Sequence, residues 1–318
     1  MKKYKLPVSL ESFLKKKNIN SSSLKLLKND ASRRQYYRVN NLRLKCLLMD
    51  STLEKNSLKD FIKISSWLKK NGFSAPNLYS VDERKGLLLL EDFEENKFSI
   101  LLKKNKTKKI YYYKKAIDLL TSLSKVPAPK FINKYDDSVL YKELNLYLVW
   151  HLGFEKSINK NEVNEWVNIW KKLFKKIEGK KPVMVLRDFH VDNIFYLKER
   201  SKEKKIGLID FQDGLIGHPA YDLVSLLQDV RVFLSKEERK YLYKYFVSKN
   251  ILNKEKFYDA YLILGTQRLL KIIGIFKRLS IQENKHNYIK FLPRANTLLK
   301  QNLKNKIFYE LRDWISSN

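Results

Sequence analysis

The sequence predicts a two-lobed α+β protein, with a small β-rich N-terminal lobe over residues 1–93 and a larger, mostly helical C-terminal lobe over 94–318. Three observations predict it. Short strand-like runs and tight-turn residues crowd the first third, and helical periodicity takes over from about residue 97. The chain, 318 residues of which 44% are hydrophobic, is also long enough to build more than one core. Within the helical part, two brief apolar runs, Val183 to Leu186 and Ile206 to Ile209, each lead into an acidic residue, Asp188 and Asp210. Such runs read as buried strands, and a carboxylate just past the end of one is held rigidly where ligands can reach it.

Leu10, Phe13 and Leu14 fall on one helical face within residues 8–17. Leu24 to Leu27, Gln35 to Val39 and Leu44 to Met49 read as strands, the last two joined by the turn pair Asn40 and Asn41. Leu58, Phe61, Ile62 and Leu68 space a helix over 57–70 that stops at Asn71 and Gly72, a good C-terminal cap. Leu78 to Val81 and Gly86 to Leu90 flank the turn Asp82 to Lys85, and the run LLLLEDFEEN closes the first lobe. Helices are expected over 110–123, 140–152 and 163–177, the third carrying Val163, Trp166, Trp170, Leu173, Phe174 and Ile177 as a stripe, its Trp and Phe read as core, that ends before Gly179. Beyond the two short strands, helices are expected over 219–233, 236–247, 256–276 and 288–303, with a last one ending near Trp314.

The chemistry lies between these helical stretches. Asp188 is followed five positions later by Asn193, and Asp210 opens a second acidic segment. Phosphoryl transfer requires a carboxylate that orients and deprotonates the attacking hydroxyl, and oxygen ligands that hold magnesium on the nucleotide phosphates. Asp188 suits the first task. Asn193, through its neutral carbonyl oxygen, and Asp210, through its charge, suit the second. Singly, the two aspartates read as turn residues and Asn193 as a cap. Together, with Arg187 before the first aspartate and Phe211 after the last, they follow the order of the kinase pattern H-R-D-x-x-x-x-N and then D-F-G.

The segments LRDFHVDN and IDFQDGLIGHPAYDL resemble the catalytic and metal-binding segments of the aminoglycoside phosphotransferase and choline kinase superfamily. The resemblance implies a bilobal protein-kinase-like fold, ATP and Mg2+ as cofactors, and a small-molecule hydroxyl as acceptor. The longer form, DFQD followed by GHP and YDLVSLLQD, is similar to the anomeric sugar kinases that phosphorylate N-acetylmuramate and N-acetylglucosamine in cell-wall recycling. An amino sugar is therefore the implied acceptor, with an aminoglycoside or a choline-type alcohol as the alternative. The rival reading is a kinase fold that binds nucleotide or an anionic partner without turnover, motivated by Leu186, where the family often has His, and by Met49.

The segment NDASRRQYYRV stands where kinases place a glycine-rich phosphate loop and resembles the D-A-S-x-R-R-Y-x-R segment of the sugar-kinase branch. That implies phosphate contact through Arg34 or Arg38, whose planar guanidinium suits phosphate oxygens. The strand lysine that usually pairs the nucleotide phosphates should fall near Met49, which leaves Lys45 or a loop arginine to replace it. As the hinge, Glu91, Asp92 and Phe93 are expected to face adenine with their backbone. Arg187, His190, Asp213 and Asp222 are candidates for supporting the catalytic loop or touching substrate. Asp222 is placed either to accept backbone amides near Asp188 or as a first-turn acid favoured by the helix dipole.

Lysine and arginine number 65 against 34 acidic residues, a formal charge of +31. The excess is mostly Lys, spread along the chain with many Asn and Ile, as an AT-rich genome and solvated helix faces would give. With no RNP-like aromatic motif and no helix-turn-helix signature, a nucleic-acid partner is not expected, although the charge should draw anionic nucleotides. A single cysteine, Cys46, excludes a disulfide framework, and the four histidines offer no zinc spacing. The charged start lacks the apolar centre of a signal peptide, and the run YLILGTQRLLKIIGIF is broken by Arg268 and Lys271. A cytoplasmic protein without membrane insertion is expected, and its oligomeric state leaves no mark in the sequence.

Overall fold

The structure is a computed structural model that describes residues 8–27, 33–40, 44–153, 157–177, 181–250 and 253–318. The turn residue Asn41, positions 29–32 of the arginine segment and the helix stop at Gly179 lie outside them. In chain order the elements begin with α1 (Val8–Lys16), β1 (Leu24–Leu26), β2 (Gln35–Val39), β3 (Cys46–Asp50), α2 (Leu58–Lys70), β4 (Leu78–Asp82) and β5 (Leu87–Glu91). Then come α3 (Phe98–Lys104), α4 (Lys109–Leu123), α5 (Asp137–Tyr147), α6 (Lys160–Lys175), β6 (Val183–Val185), β7 (Ile194–Tyr196), β8 (Ile206–Leu208) and β9 (Leu215–Gly217). The chain closes with α7 (Ala220–Leu227), α8 (Lys236–Lys249), α9 (Lys254–Glu283), α10 (Leu292–Leu303) and α11 (Tyr309–Ser317).

Packing groups Met1–Lys104 with Asp192–Asp213 as one unit, and Asn105–Val191 with Gly214–Asn318 as the other. The expected lobes 1–93 and 94–318 cut the chain once, whereas the packing returns 192–213 to the first unit. Backbone pairing explains the return: Leu208 N–H donates to Ser74 O at 2.8 Å, and Tyr196 N–H donates to Asn96 O at 2.9 Å. The two apolar runs that look alike in sequence thus part company, β8 pairing with β7 and β6 with β9.

The first unit is built on an antiparallel sheet in the order β1-β2-β3-β5-β4. Alternation sorts its side chains onto two faces. Tyr37, Val39, Cys46, Leu48, Leu87 and Leu89 bury against Leu10, Phe13 and Leu14 of α1. The register sets Met49 opposite Tyr36 and Leu88, on the other face. Helix α2 stops where glycine permits it. Gly72 has φ of 83°, its N–H donates to Lys69 O, and Phe73 N–H donates to Leu68 O, so two terminal carbonyls are satisfied by one left-handed residue.

The second unit is helical around α9, a 30-residue helix packed against α5, α7 and α10. Gly274 permits the approach to α5, since a Cβ there would lie 2.4 Å from the Leu146 backbone. Three helix expectations need correction. The run 140–152 is α5 from Asp137 followed by a π-helical turn over Leu148–Leu152. The stretch before α10 is a 3-10 segment over His286–Phe291, with Pro293 in the first turn of α10. The helix expected over 219–233 ends at Leu227, because Asp229 leaves helical geometry to accept backbone N–H groups from Val191 and Arg231. Among the described residues, no helix is long and apolar enough to cross a membrane.

Candidate active site

In the second unit, β6 delivers the chain into the loop that carries Asp188, whose backbone is pinned at several points. Asp222, in the first turn of α7, accepts Leu186 N–H at 2.7 Å and Arg187 N–H at 3.0 Å. Ser225, one turn along the same helix, donates to Arg187 O at 3.1 Å. Asp229 takes Val191 N–H at 3.1 Å. Between these anchors the loop is wound tightly. Asp188 N–H donates to Leu186 O across Arg187, which has φ of 66°, and His190 N–H donates to Asp188 O at 2.9 Å. A γ-turn with a positive-φ side-chain-bearing residue at its centre is rare and strained, and persists only where the surroundings over-determine it.

Asp188 itself is half-buried, while Phe189 and His190 are buried beside it. Asp222 is 3% exposed, and burial pushes its carboxyl up to about 7. The two amides it accepts act in the opposite direction, and the Asp188 charge adds to the rise.

Asn193, Asp210 and Asp213 belong to the first unit. The β7–β8 hairpin sets Asn193 and Asp210 at matching ends, with Ile209 N–H on Asn193 O at 3.2 Å. Their side chains meet: Asn193 Nδ2 donates to Asp210 Oδ2 at 3.2 Å, and Gln212 Nε2 donates to Asp210 Oδ1 at 2.9 Å and to Asp213 Oδ2 at 3.1 Å. Asp210 is exposed at φ of 58°, and Phe211 beyond it stacks on Phe61 of α2 with ring centroids 5.0 Å apart. A carboxylate and an amide carbonyl side by side fit magnesium, a hard ion that takes few protein oxygens and fills its shell from phosphates and water. Among the described residues, no cluster of three or more His, Cys, Asp or Glu side chains is arranged to hold a metal on its own.

The two arginines of the β2 segment are used differently. Arg34 is 3% exposed, donates to Ser57 Oγ at 2.5 Å and lies 3.4 Å from Glu54 Oε2. It also hydrogen-bonds the Tyr36 hydroxyl. Burial raises the Tyr36 pKa, with Arg34 lowering it and Asp210 raising it, so all three groups share one neighbourhood. Arg38 instead grips Asp92 with Nε at 2.5 Å and Nη2 at 3.3 Å, and reaches Glu95 at 3.1 Å. Lys45 is an exposed partner of Glu94, and Met49 is fully buried.

The hinge residues are largely tied within the unit. Glu91 accepts Asn77 N–H and the Asn77 amide and pairs with Arg200. Phe93 packs against Phe195 and over Gly207, where a Cβ would come within 2.8 Å of its ring. The Glu91 and Asp92 amides donate to Asn77 O and Lys45 O. A cleft of about 660 Å³ opens beside Arg38, Cys46 and Asp92.

A family model described as the phosphotransferase enzyme family matches residues 23–248. The chain belongs to that family. It is 31% identical over 80% of its length to an N-acetylmuramate/N-acetylglucosamine kinase of Caulobacter vibrioides, covering 73% of that protein. It is 28% identical over 83% of its length to a Pseudomonas aeruginosa protein of the same name, covering 79% of it. Among solved structures it is similar to an ADP-bound aminoglycoside phosphotransferase, with a TM-score of 0.64 at 15% identity over 95% of this chain and 99% of that one. A choline/ethanolamine kinase family protein from Mesorhizobium loti gives a TM-score of 0.65 at 11% identity over 98% and 100%. The latter two likenesses are of fold, and they bear out the α+β protein-kinase-like architecture.

Several residues that hold the candidate site residues of this phosphotransferase gain no role from a reading by motif. Ser225 and Asp229 lie within the segment YDLVSLLQD, but nothing in that segment assigns them backbone partners in the Asp188 loop. Glu54 and Ser57 precede α2 and show no pattern linking them to Arg34. Gln267 and Lys271 interrupt the apolar run of α9, and charge inside a buried helix was the available clue.

Proposed function

We propose that this phosphotransferase is an ATP- and Mg2+-dependent kinase of a small-molecule hydroxyl, with the anomeric hydroxyl of N-acetylmuramate or N-acetylglucosamine as acceptor. The observation that carries the reading is the side-chain contact of Asn193 with Asp210 at 3.2 Å, in a chain whose Asp188, five residues before Asn193, sits in a loop pinned through its backbone. The names of the relatives supply the acceptor class. We assign nucleotide binding to the first unit and acceptor activation to the second, in the cytoplasm where ATP is held.

Asp188 orients the acceptor hydroxyl and takes its proton as that oxygen bonds to the γ-phosphorus and the bond to the β–γ bridging oxygen breaks, releasing ADP. Asp210 and Asn193 hold magnesium, which when bound offsets the charge of the phosphate oxygens. Arg34 takes the place of the strand lysine, since it is buried near Asp210 and Tyr36, whereas Arg38 is committed to Asp92 and Glu95. Asp92, held by Arg38, stiffens the hinge, and adenine is left with backbone groups of Glu91 to Phe93 other than the Glu91 and Asp92 amides. Asp222 sets the loop geometry from behind, Arg187 and His190 flank the base, and Asp213 steadies Gln212 against Asp210.

The test is a sugar and alcohol acceptor screen with labelled ATP, followed by locating the phosphate in the product by NMR. Label on the anomeric oxygen of either amino sugar is expected. Transfer only to an aminoglycoside or to choline would replace the acceptor, and tight ATP binding with transfer to none would favour a fold without turnover.

A further inference from the structure

Glu143 on α5 is a buried carboxylate that no motif singles out. One of its oxygens accepts Arg187 Nη2 at 2.5 Å and Lys271 Nζ at 2.6 Å; the other accepts Gln267 Nε2 at 3.0 Å and the Tyr135 hydroxyl. Four donors saturate a carboxylate. Burial alone would raise its pKa, but Lys271 and Arg187 outweigh that and hold Glu143 down at about 2, so it stays charged. The cluster joins three parts of the second unit: α5, α9 and the 133–135 segment, which pairs with β9 through Tyr135 N–H to Ile216 O and Ile216 N–H to Asn133 O, both at 2.8 Å. The Tyr135 ring lies 5.6 Å from the Arg187 guanidinium and meets Tyr221 edge-on at 4.8 Å.

All of this converges on the residue before Asp188. Arg187 is the centre of the strained γ-turn, and Asp222 and Ser225 hold only its backbone. The side chain needs its own anchor, because a residue at φ of 66° gains by relaxing to negative φ whenever its surroundings let it. Such a relaxation rotates the peptide between 187 and 188 and swings the Asp188 carboxylate away. Lys271 holds Glu143 in place through its 2.6 Å hydrogen bond to the same carboxylate oxygen that takes Arg187.

We propose that Glu143 and Lys271 are positioning residues: Glu143 clamps the Arg187 side chain, Lys271 holds Glu143, and together they lock the left-handed turn and so aim Asp188 at the acceptor. The inference rests on the assignment of Asp188 as the group that orients the acceptor. A cluster that served only the stability of the helix packing would lower the melting temperature and leave the turn and the turnover number alone.

The experiment compares Glu143→Gln, the paired variant Glu143→Gln/Lys271→Met, and the same pair combined with Asp188→Asn. Glu143→Gln alone leaves two buried cations facing each other and risks unfolding, whereas the paired variant removes one charge of each sign and should keep the fold. The expected result for the paired variant is a turnover number down about 100-fold, of the order a small misplacement of a catalytic group costs, with ATP affinity and acceptor KM near native. Combined with Asp188→Asn, the pair should cause no further loss, because both changes act through the same carboxylate. A crystal structure of the paired variant should find Arg187 at negative φ, and this readout needs no acceptor. Retention of the positive φ, or a turnover loss that multiplies with that of Asp188→Asn, overturns the proposal. If Asp188→Asn alone keeps native turnover, the assignment of the base fails separately, and the variant's φ still decides whether Glu143 sets the turn.

Discussion

Asp188 and Asp210 both lie two or three residues past a short buried strand, and each has a left-handed residue at its turn: Arg187 at φ of 66° in one case, Asp210 itself at 58° in the other. Their surroundings differ. Around Asp188 the backbone is fastened by Asp222, Ser225 and Asp229, three side chains from α7 and the turn after it. The Asp210 carboxylate is exposed and takes side-chain hydrogen bonds from Asn193, across the β7–β8 hairpin, and from Gln212. The contrast fits the roles proposed for the two. A group that orients a hydroxyl profits from rigidity, while a group that shares an exchangeable ion with phosphates and water must stay open to all of them.

The largest expected effect breaks the rigid side of that contrast. Asp188→Asn should lower turnover about 1,000-fold, within the range general-base removal typically spans, while nucleotide affinity stays near native. Steady-state kinetics with nucleotide titration checks it; loss of nucleotide binding would move Asp188 to the metal instead.

The open side is tested by magnesium. Asp210→Ala should raise the magnesium concentration needed for half-maximal rate strongly, and Asn193→Ala less, because the first removes a full charge and the second a neutral oxygen. A magnesium titration of each variant reads the order, and ordinary magnesium dependence in Asp210→Ala would contradict the assignment.

The arginines sharpen the comparison inside the first unit. Arg34→Ala should weaken ATP binding about 10-fold or more, the size of a lost charge-assisted hydrogen bond. Arg38→Ala should weaken it less, through Asp92, and Lys45→Ala hardly at all, because its pair with Glu94 is exposed. Met49→Ala should lower stability rather than turnover, since Met49 is fully buried. Calorimetric ATP titrations and melting curves separate these outcomes; a dominant loss in Lys45→Ala would return the role to the strand.

The smallest effect at neutral pH is the acid response of Glu143. Its folded pKa of about 2 lies below the ordinary 4.5, so its contribution is complete above about 4.5 and is lost as pH falls towards 2. Asp222 has the opposite sign: its folded pKa of about 7 lies above 3.8, so its contribution is present below 3.8 and is lost as pH rises through 7. Denaturant midpoints measured from pH 3 to 8 for the native chain, Glu143→Gln and Asp222→Asn should show the acid arm flatten in the first variant and the neutral arm in the second.

Much of this was legible in the chain itself. The alternation Tyr37, Val39, Cys46, Leu48 marks the sheet face covered by α1, and Gly72 marks the end of α2. The order of Asp188, Asn193 and Asp210 marks the chemistry proposed for them. These are local signals: periodicity, turn conformation and spacing depend on neighbours in sequence, so sequence alone determined most of the strands and helices and the protein-kinase-like class, and it singled out the side chains proposed to react. It could not choose between Arg34 and Arg38, which are four positions apart in one segment, the first just before β2 and the second within it; burial beside Glu54 and Ser57 separates one from the pairing of the other with Asp92. Nor could it join Glu143, Arg187 and Lys271, which are 44 and 128 positions from Glu143. Tertiary structure decided those matters, because an ion pair records distance in space and carries no period along the chain.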